Sequence, residues 1–175
     1  FENLKGTDEE KLRFLIASEP NIAERFEGCE FVMEPRILQS WSATTDKFYG
    51  DGFVLTGNAT EFLDPVFSSG VTLATVSSQL AAGLVIKKLQ GEQIDWQTAY
   101  QDKMMIGVNT FRTYVMAWYE GSLQKVFFAE KQQEEVIKQI CSVLAGYVWD
   151  MENLYVREHE TAFKKLVRLI EIEKI

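Results

Sequence analysis

The sequence predicts an α+β fold that is mainly helical, with a few antiparallel strands in the first third and a helical carboxy-terminal lobe. Three observations support this prediction. β-branched and aromatic residues are concentrated between positions 31 and 56, as they are in strands. Apolar residues recur at helical spacing before and after that stretch. No proline follows Pro65, so no ring interrupts the later helices. We expect two domains, 1–91 and 92–175.

The chain is expected to open with two short helices. Thr7 and Glu10 have the spacing of a capping box, which predicts a helix that runs to about Ala17. Pro20 suits the first turn of a second helix, and Gly28 is a typical stop signal.

Three strands are predicted next, near 30–33, 37–47 and 53–57. The group Tyr49-Gly-Asp-Gly52 lies between the last two and is typical of a hairpin turn. The run Phe53-Val-Leu55 is apolar without a break, which predicts a strand buried on both faces.

Everything after Gly70 is predicted to be helical. Apolar residues at spacings of three and four run up to a stop at Gly91, and Asp95 is placed to cap the following helix. The expected helices cover 70–91, 95–118, 122–129, 134–149 and 152–173.

Composition narrows the classes of function. The chain has 175 residues, of which 46% are hydrophobic and 25% charged, as in an ordinary globular protein. A net charge of -8 opposes binding to nucleic acid or to an anionic membrane surface. Polar residues interrupt the most apolar stretch, Val71–Leu89, so we expect no membrane span.

No metal site is predicted. Cys29 and Cys141 lie far apart, and the single histidine, His159, does not complete a zinc set with them. We expect reduced thiols in a cytoplasmic protein, and a solvated His159 on a helix surface. Glu130, Glu134 and Glu135 are read as a solvated helix face.

The segment from Phe53 to Leu73 carries the chemistry. A strand delivers the chain to Gly57, a polar loop follows, and a helix begins near Ser69-Gly70. The first amides of a helix lack internal partners and carry partial positive charge, so they bind anions. Gly70 has no side chain to keep a ligand from the backbone, and Asp64-Pro65 restricts the loop. These residues predict an anion site for a phosphate, a halide or a reduced flavin.

The residue pattern of this segment identifies a protein family more specifically than its predicted geometry does. The pattern G-[DN]-A-x-x-F-x-D-P-x-x-S-x-G is present as Gly57-Asn58-Ala59, Phe62, Asp64-Pro65, Ser68 and Gly70. It resembles the second flavin motif of halogenase-like FAD enzymes. The chain is therefore similar to the carboxy-terminal part of an FAD-dependent oxidoreductase of the halogenase and monooxygenase group, with 1–91 ending the FAD and substrate region.

The resemblance implies a set of cofactor-binding residues. These are Gly57, Asn58, Ala59, Asp64, Pro65, Ser69, Gly70 and Val71, with Ser69 and Gly70 also near the halide if the enzyme is a halogenase. Asn58 stands where the family commonly has aspartate, so it can form hydrogen bonds but has no charge. No catalytic acid or base can be assigned.

The resemblance also implies a reaction and partners. A parent enzyme would use FAD on a small-molecule substrate, aromatic or acyl, that is free or bound to a carrier, and a flavin reductase is a possible partner. No GxGxxG occurs in the chain, so we expect no stable FAD binding and no activity from this chain alone. Phe1 is not an initiator methionine, and the beginning is interpreted as a cut in a longer chain.

Three alternatives stay open. One is a flavin-dependent reductase or dehydrogenase of the geranylgeranyl reductase type, which shares this loop. Another is a non-catalytic helical binding or assembly module, and a third is a purely structural strand-to-helix connection. A group of aromatic residues could line a substrate pocket but is more simply interpreted as helix core; it comprises Phe111, Tyr114, Trp118, Tyr119, Phe127 and Phe128.

Overall fold

The computed structural model describes residues 3–38, 42–67 and 69–173. The chain forms two compact units, Phe1–Trp41 and Ser42–Ile175. The fold is α+β and mainly helical, as predicted, with short antiparallel strands early and a helical carboxy-terminal region. The expected domain boundary near residue 91 stays a prediction.

The first unit contains two helices, α1 (Asp8–Ser18) and α2 (Pro20–Phe26). The capping box is confirmed, because the Glu10 amide donates to Thr7 Oγ1 at 3.2 Å and the Thr7 amide donates to Glu10 Oε2 at 2.7 Å. The strand predicted at 30–33 is wrong. Val32 is 98% exposed and no strand is formed there. β propensity alone does not make a strand when the backbone finds no partner strand.

The second unit begins with four two-residue strands, β1 (Ala43–Thr44), β2 (Tyr49–Gly50), β3 (Phe53–Val54) and β4 (Glu61–Phe62). β2 and β3 form the predicted hairpin across Asp51-Gly52, where Gly52 has φ 77°. β1 pairs antiparallel with β4, so Thr44 lies opposite Glu61.

Two expectations about these strands are corrected. In the described part of 37–47 only Ala43–Thr44 is a strand, and residues 39–41 lie outside the described residues. The buried central strand is also wrong, since Phe53 is 54% exposed and β3 has a single partner strand. An unbroken apolar run does not by itself distinguish a central strand from a hairpin arm.

Within residues 69–173 six helices follow where five were predicted: α3 (Ser69–Leu89), α4 (Asp102–Tyr119), α5 (Ser122–Phe127), α6 (Glu134–Leu144), α7 (Leu154–Arg157) and α8 (His159–Glu173). A π-helical turn over Gln97–Gln101 leads into α4, and Asp95 Oδ1 accepts from the Gln97 amide as a cap. α6 ends five residues before the predicted Trp149 because Gly146 takes φ 102°. The predicted helix 152–173 is divided into α7 and α8 at Glu158.

The core of this unit is built around α4. Five side chains on α4 and the turn before it are almost fully buried: Tyr100, Met104, Val108, Phe111 and Tyr114. Tyr114 packs edge-on against Phe163 of α8 and donates its hydroxyl to the Tyr155 carbonyl at 2.9 Å. Burial strongly raises the pKa of Tyr114, so this hydroxyl stays a donor. The interpretation of Phe111 and Tyr114 as core is confirmed.

One helix of the described part, α3, is long and apolar enough to cross a membrane by length and composition, with a mean hydropathy of 1.4 in its most apolar window. This is weak evidence for a span, because core helices of other proteins pass the same test. The sequence-based exclusion of any such stretch was nevertheless too strong.

Candidate functional site

The predicted loop joins β3 to α3 and is folded against α3 at its start. Gly57 begins a single 3₁₀ turn that extends to Ala59. Its amide donates to the hydroxyl of buried Ser77 at 2.9 Å, and its φ is 57°. A Cβ here would lie 3.3 Å from the Cβ of Ala74. Local structure therefore explains this glycine without a ligand.

A threonine pair closes the turn from the other side. Thr60 Oγ1 donates to the Gly57 carbonyl at 2.7 Å, while Thr45 Oγ1 donates to the Ala59 carbonyl at 2.8 Å. These bonds, together with the β1–β4 ladder, leave the Asn58 and Ala59 side chains exposed. Asn58 is thereby presented at the surface of the loop, as a ligand-contacting residue requires.

Gly70 differs from Gly57 because its backbone needs no positive φ. A Cβ at this position would lie 3.5 Å from the Phe62 ring and 3.6 Å from Asn58 Oδ1. These are ordinary contacts, so the loop does not demand glycine for steric reasons. A side chain at Gly70 would lie against Asn58 and the Phe62 ring. The structure thus brings Asn58 and Gly70 together at the first turn of α3.

The first turn of α3 is the place where the sequence predicts an anion site. Its residues carry no acidic side chain, and Val71 is 75% exposed. Ser69 is 1% exposed, and its hydroxyl has no hydrogen-bond partner among the described residues. A buried hydroxyl without a partner is costly, so we expect a hydrogen-bond partner within its reach. Ser68, the serine of the sequence motif, lies outside the described residues.

Asp64 is turned into the protein. It is 3% exposed, and its Oδ1 accepts from the Val66 amide at 2.6 Å. Its Oδ2 accepts from the Tyr119 hydroxyl of α4, and this bond raises the pKa of Tyr119. Pro65 next to it is exposed. In this arrangement Asp64 holds the loop through bonds on its buried side, and Pro65 is exposed to solvent.

A second buried carboxylate also connects the loop to α4. Glu61 is 3% exposed, and Thr44 Oγ1 donates to its Oε2 at 2.5 Å. Arg112 Nη2 of α4 donates to its Oε1 at 3.0 Å. Arg112 and Tyr119 are two helical turns apart on one face of α4, so one helix holds the loop at two points. Sequence reasoning missed Glu61 and Arg112, because a charged residue in a polar loop and one on a helix give no sign that they pair.

The aromatic group is divided between core and surface. Trp118 packs edge-on against Phe67 of the loop at 5.7 Å between ring centroids, while Tyr119 is 64% and Phe128 is 80% exposed. The interpretation of the whole group as helix core is therefore wrong for Tyr119 and Phe128.

His159 was predicted as a solvated surface residue, and this is corrected. It is half-buried, and its Nδ1 lies 2.7 Å from Thr113 Oγ1. Burial lowers the pKa of His159, while nearby Glu160 acts in the opposite direction. The charged residues next to His159 in sequence favoured a surface position. The contact itself was not predictable because Thr113 is distant along the chain.

No group of three histidine, cysteine or acidic residues that could hold a metal ion occurs in the described ranges, 3–38, 42–67 and 69–173. Cys29 and Cys141 are free and exposed.

Comparison with known proteins identifies relatives of the chain. No family model matches the chain. The structure superimposes with a TM-score of 0.92 on a flavoprotein/dehydrogenase from Cytophaga hutchinsonii, at 46% identity, over 99% of this chain and 43% of that one. A 1H-pyrrole-2-carbonyl-[peptidyl-carrier protein] chlorinase from Pseudomonas fluorescens is 27% identical over 89% of this chain and 35% of its own length. A flavin-dependent halogenase from Penicillium aethiopicum is 30% identical over 63% of this chain and 21% of its own length.

The chain is a homologue of the flavin-dependent halogenases. It spans about a third of the length of the first curated relatives that it matches, and it fits the carboxy-terminal part of an FAD-dependent oxidoreductase of this group. The resemblance to halogenase-like FAD enzymes, which was inferred from the pattern between Gly57 and Gly70, is thereby confirmed. The roles of the individual site residues stay predictions.

Proposed function

We propose that the Gly57–Gly70 loop is the second flavin loop of a halogenase-like or monooxygenase-like FAD enzyme that acts on an aromatic or acyl substrate. The observation that carries the proposal is the position of Gly70 in the first turn of α3, beside the exposed Asn58 side chain and without a positive φ that would require glycine. A purely structural connection would account for Gly57, and it would leave Gly70 without a reason.

The residues present fit a flavin. The Gly70 and Val71 amides would hold the electron-rich edge of the ring or a halide, because partial positive charge accumulates at the start of a helix. Asn58 would donate or accept a hydrogen bond with the cofactor, while Gly57, Ala59, Asp64 and Pro65 would keep the loop in shape. When bound, reduced FAD would supply the electrons for oxygen activation.

The proposed partners follow from the relatives. The Pseudomonas fluorescens relative is named for a substrate attached to a peptidyl carrier protein. We propose a small-molecule substrate, free or carrier-bound, and a flavin reductase that supplies reduced FAD. We also propose a cytoplasmic location, in keeping with the free thiols Cys29 and Cys141.

Gly70→Val in the complete protein tests the loop. Its side chain would lie against Asn58 and the Phe62 ring at the first turn of α3, so we expect FAD affinity to fall about ten-fold or more, the loss of about one good hydrogen-bonded contact. Gly83→Val is the matched control, because it lies on the same helix and an added Cβ there meets nothing within 4 Å. FAD binding is followed by flavin fluorescence.

Three results would count against the proposal. A wild-type protein that purifies colourless and releases no flavin on denaturation contradicts FAD binding itself. Equal FAD affinity of the two glycine variants contradicts the role of the loop and favours the structural or assembly-module alternatives. This chain alone is expected to bind FAD too weakly for stable association, and titration calorimetry with micromolar affinity would contradict that expectation.

A second candidate is a flavin-dependent reductase or dehydrogenase, which is favoured by the Cytophaga hutchinsonii relative being called a flavoprotein/dehydrogenase. The two candidates differ in their need for oxygen and halide. Formation of a halogenated product in the presence of reduced FAD, oxygen and halide supports the first candidate. Without oxygen, reduction of FAD by the substrate supports a dehydrogenase, and oxidation of reduced FAD by the substrate supports a reductase.

A further inference from the structure

One face of α3 is apolar, uncharged and exposed. α3 carries no acidic residue, and its first charged side chain is Lys87 near its end. A helix face in contact with water normally carries charged and polar side chains. Here the larger apolar side chains are uncovered, with Val71 75%, Ile86 55% and Leu89 83% exposed. Six exposed residues at spacings of three and four form this face, which we call the α3 stripe: Val71, Thr75, Ser78, Ala82, Ile86 and Leu89.

The α3 stripe is narrow and continuous enough to be covered by a single protein surface. With 3.6 residues per turn, its six positions fall within about 80° around the helix, and they extend about 27 Å along the axis. Gly83 lies about 60° outside it. The middle of the stripe consists of small side chains, which let a second backbone approach closely. The Thr75 hydroxyl donates to the Val71 carbonyl at 2.9 Å, so covering Thr75 would bury no unpaired donor.

The other side of α3 is fixed to the unit that contains it. Leu73, Ser77 and Ala81 are at most 4% exposed, and the Ser77 hydroxyl accepts from the Gly57 amide at 2.9 Å. A helix that packs along one side of a folded unit buries its other apolar side against a further layer of protein. This attachment favours a protein surface over a membrane as the occupant of the α3 stripe, although the length and composition of α3 would allow a span.

We propose that the α3 stripe is covered by the amino-terminal part of the complete protein, an inference that rests on the proposed flavin loop. This chain spans 43% of the Cytophaga hutchinsonii flavoprotein and 35% of the chlorinase, so each relative contains a further and larger part. The GxGxxG half of an FAD site does not occur in this chain. One FAD bound by both halves would bring that part to the first turn of α3, where Gly70 lies and the stripe begins at Val71. Covering the stripe there would remove its apolar side chains from water.

Cysteine labelling of the complete protein tests whether the stripe is covered. Ser78→Cys is nearly isosteric, and Ala82→Cys adds one sulfur atom in the middle of the stripe. Lys87→Cys is the matched control, because Lys87 is exposed on the same helix at least about 140° away from both positions. Each variant is made with the exposed Cys29 and Cys141 replaced by serine. A water-soluble maleimide labels the thiols, and peptide mass spectrometry gives the rate at each position.

The rate of each variant in concentrated urea serves as its unprotected reference. We expect Ser78→Cys and Ala82→Cys to react at least about 100-fold more slowly in the folded protein than in urea, because the reagent reaches a covered thiol only when the structure opens locally. Lys87→Cys should stay within about ten-fold of its rate in urea. Equal protection at the three positions would overturn the proposal.

Two other occupants give different results, and either would also overturn the proposal. Protection that is lost when the protein is diluted to a monomer assigns the stripe to a second copy. Protection that requires added lipid vesicles assigns it to a membrane. The labelling does not depend on FAD, so the two proposals can fail separately. Protected thiols in a protein that releases no flavin support the covered stripe and contradict the flavin loop, whereas unprotected thiols in a flavin-containing protein do the reverse.

Discussion

Tyr119 acts on the loop through a single hydroxyl. Its ring is mostly exposed, so it contributes little to the core, yet its hydroxyl donates to the carboxylate of buried Asp64. The only other bond to that carboxylate in the described residues comes from the Val66 amide. The loop therefore depends on an atom of α4 that lies 55 positions away in sequence.

Tyr119→Phe removes that hydroxyl and keeps the ring. We expect the free energy of unfolding to fall by about 1 kcal/mol, because a buried oxygen loses a donor that water replaces only in part. Urea denaturation measures the change. Tyr147→Phe is the control, since Tyr147 is 66% exposed and should change stability by less than about 0.5 kcal/mol. Equal effects in the two variants would show that the Asp64 contact contributes nothing.

At the scale of elements, the start of α7 depends on Asn153. Its Oδ1 caps α7 by accepting from the Tyr155 amide at 2.8 Å, and its Nδ2 donates to the Gln139 carbonyl of α6 at 2.9 Å. Asn153 is 6% exposed, so water does not replace these bonds easily. One amide side chain thus starts α7 and fixes it to α6.

Asn153→Ala is expected to lower the free energy of unfolding by about 2 kcal/mol, since a helix cap and an interhelical bond are lost together. Asn153→Ser keeps a cap acceptor and loses only the donor to Gln139, so its loss should be about half as large. Thermal denaturation followed by circular dichroism compares the three proteins. Equal losses for both variants would assign the whole effect to the Gln139 bond.

The same elements show what sequence can predict. Helix starts were predictable at Thr7 and Asp95 because a capping side chain acts on amides within three residues. The division at Glu158 was missed because apolar spacing continues through it. The motif from Gly57 to Gly70 was readable because its residues are contiguous. The roles of Arg112 and Tyr119 were not predictable, because contacts between residues that are distant in sequence leave no local pattern.

At the scale of the whole molecule, His159 links stability to pH. Burial lowers its pKa below the ordinary value of about 6.5, so the unfolded chain binds a proton that the folded chain does not. This contribution to stability is present above about pH 6.5 and is lost as the pH falls through the folded pKa. His159 is the single histidine of the chain, so its ring protons give an unambiguous NMR titration.

We expect the wild-type chain to lose more stability than His159→Gln between roughly pH 7.5 and roughly pH 5. Urea denaturation at both values measures this difference, and the NMR titration should give a midpoint below about 6.5. A midpoint at or above that value, or an identical pH dependence of the variant, would contradict the buried and neutral state of His159.

The two attachments of the loop to α4 set a limit for protein engineering. Grafting the segment from Gly57 to Gly70 into another scaffold would transfer Glu61 and Asp64 without the groups that neutralise and bind them. The smallest transplantable piece is discontinuous, because it must include Arg112 and Tyr119 at their two-turn spacing and Ser77 behind the first glycine. Homologous recombination with crossovers between α3 and α4 would separate these partners, so viable chimaeras should inherit the loop and α4 from the same parent.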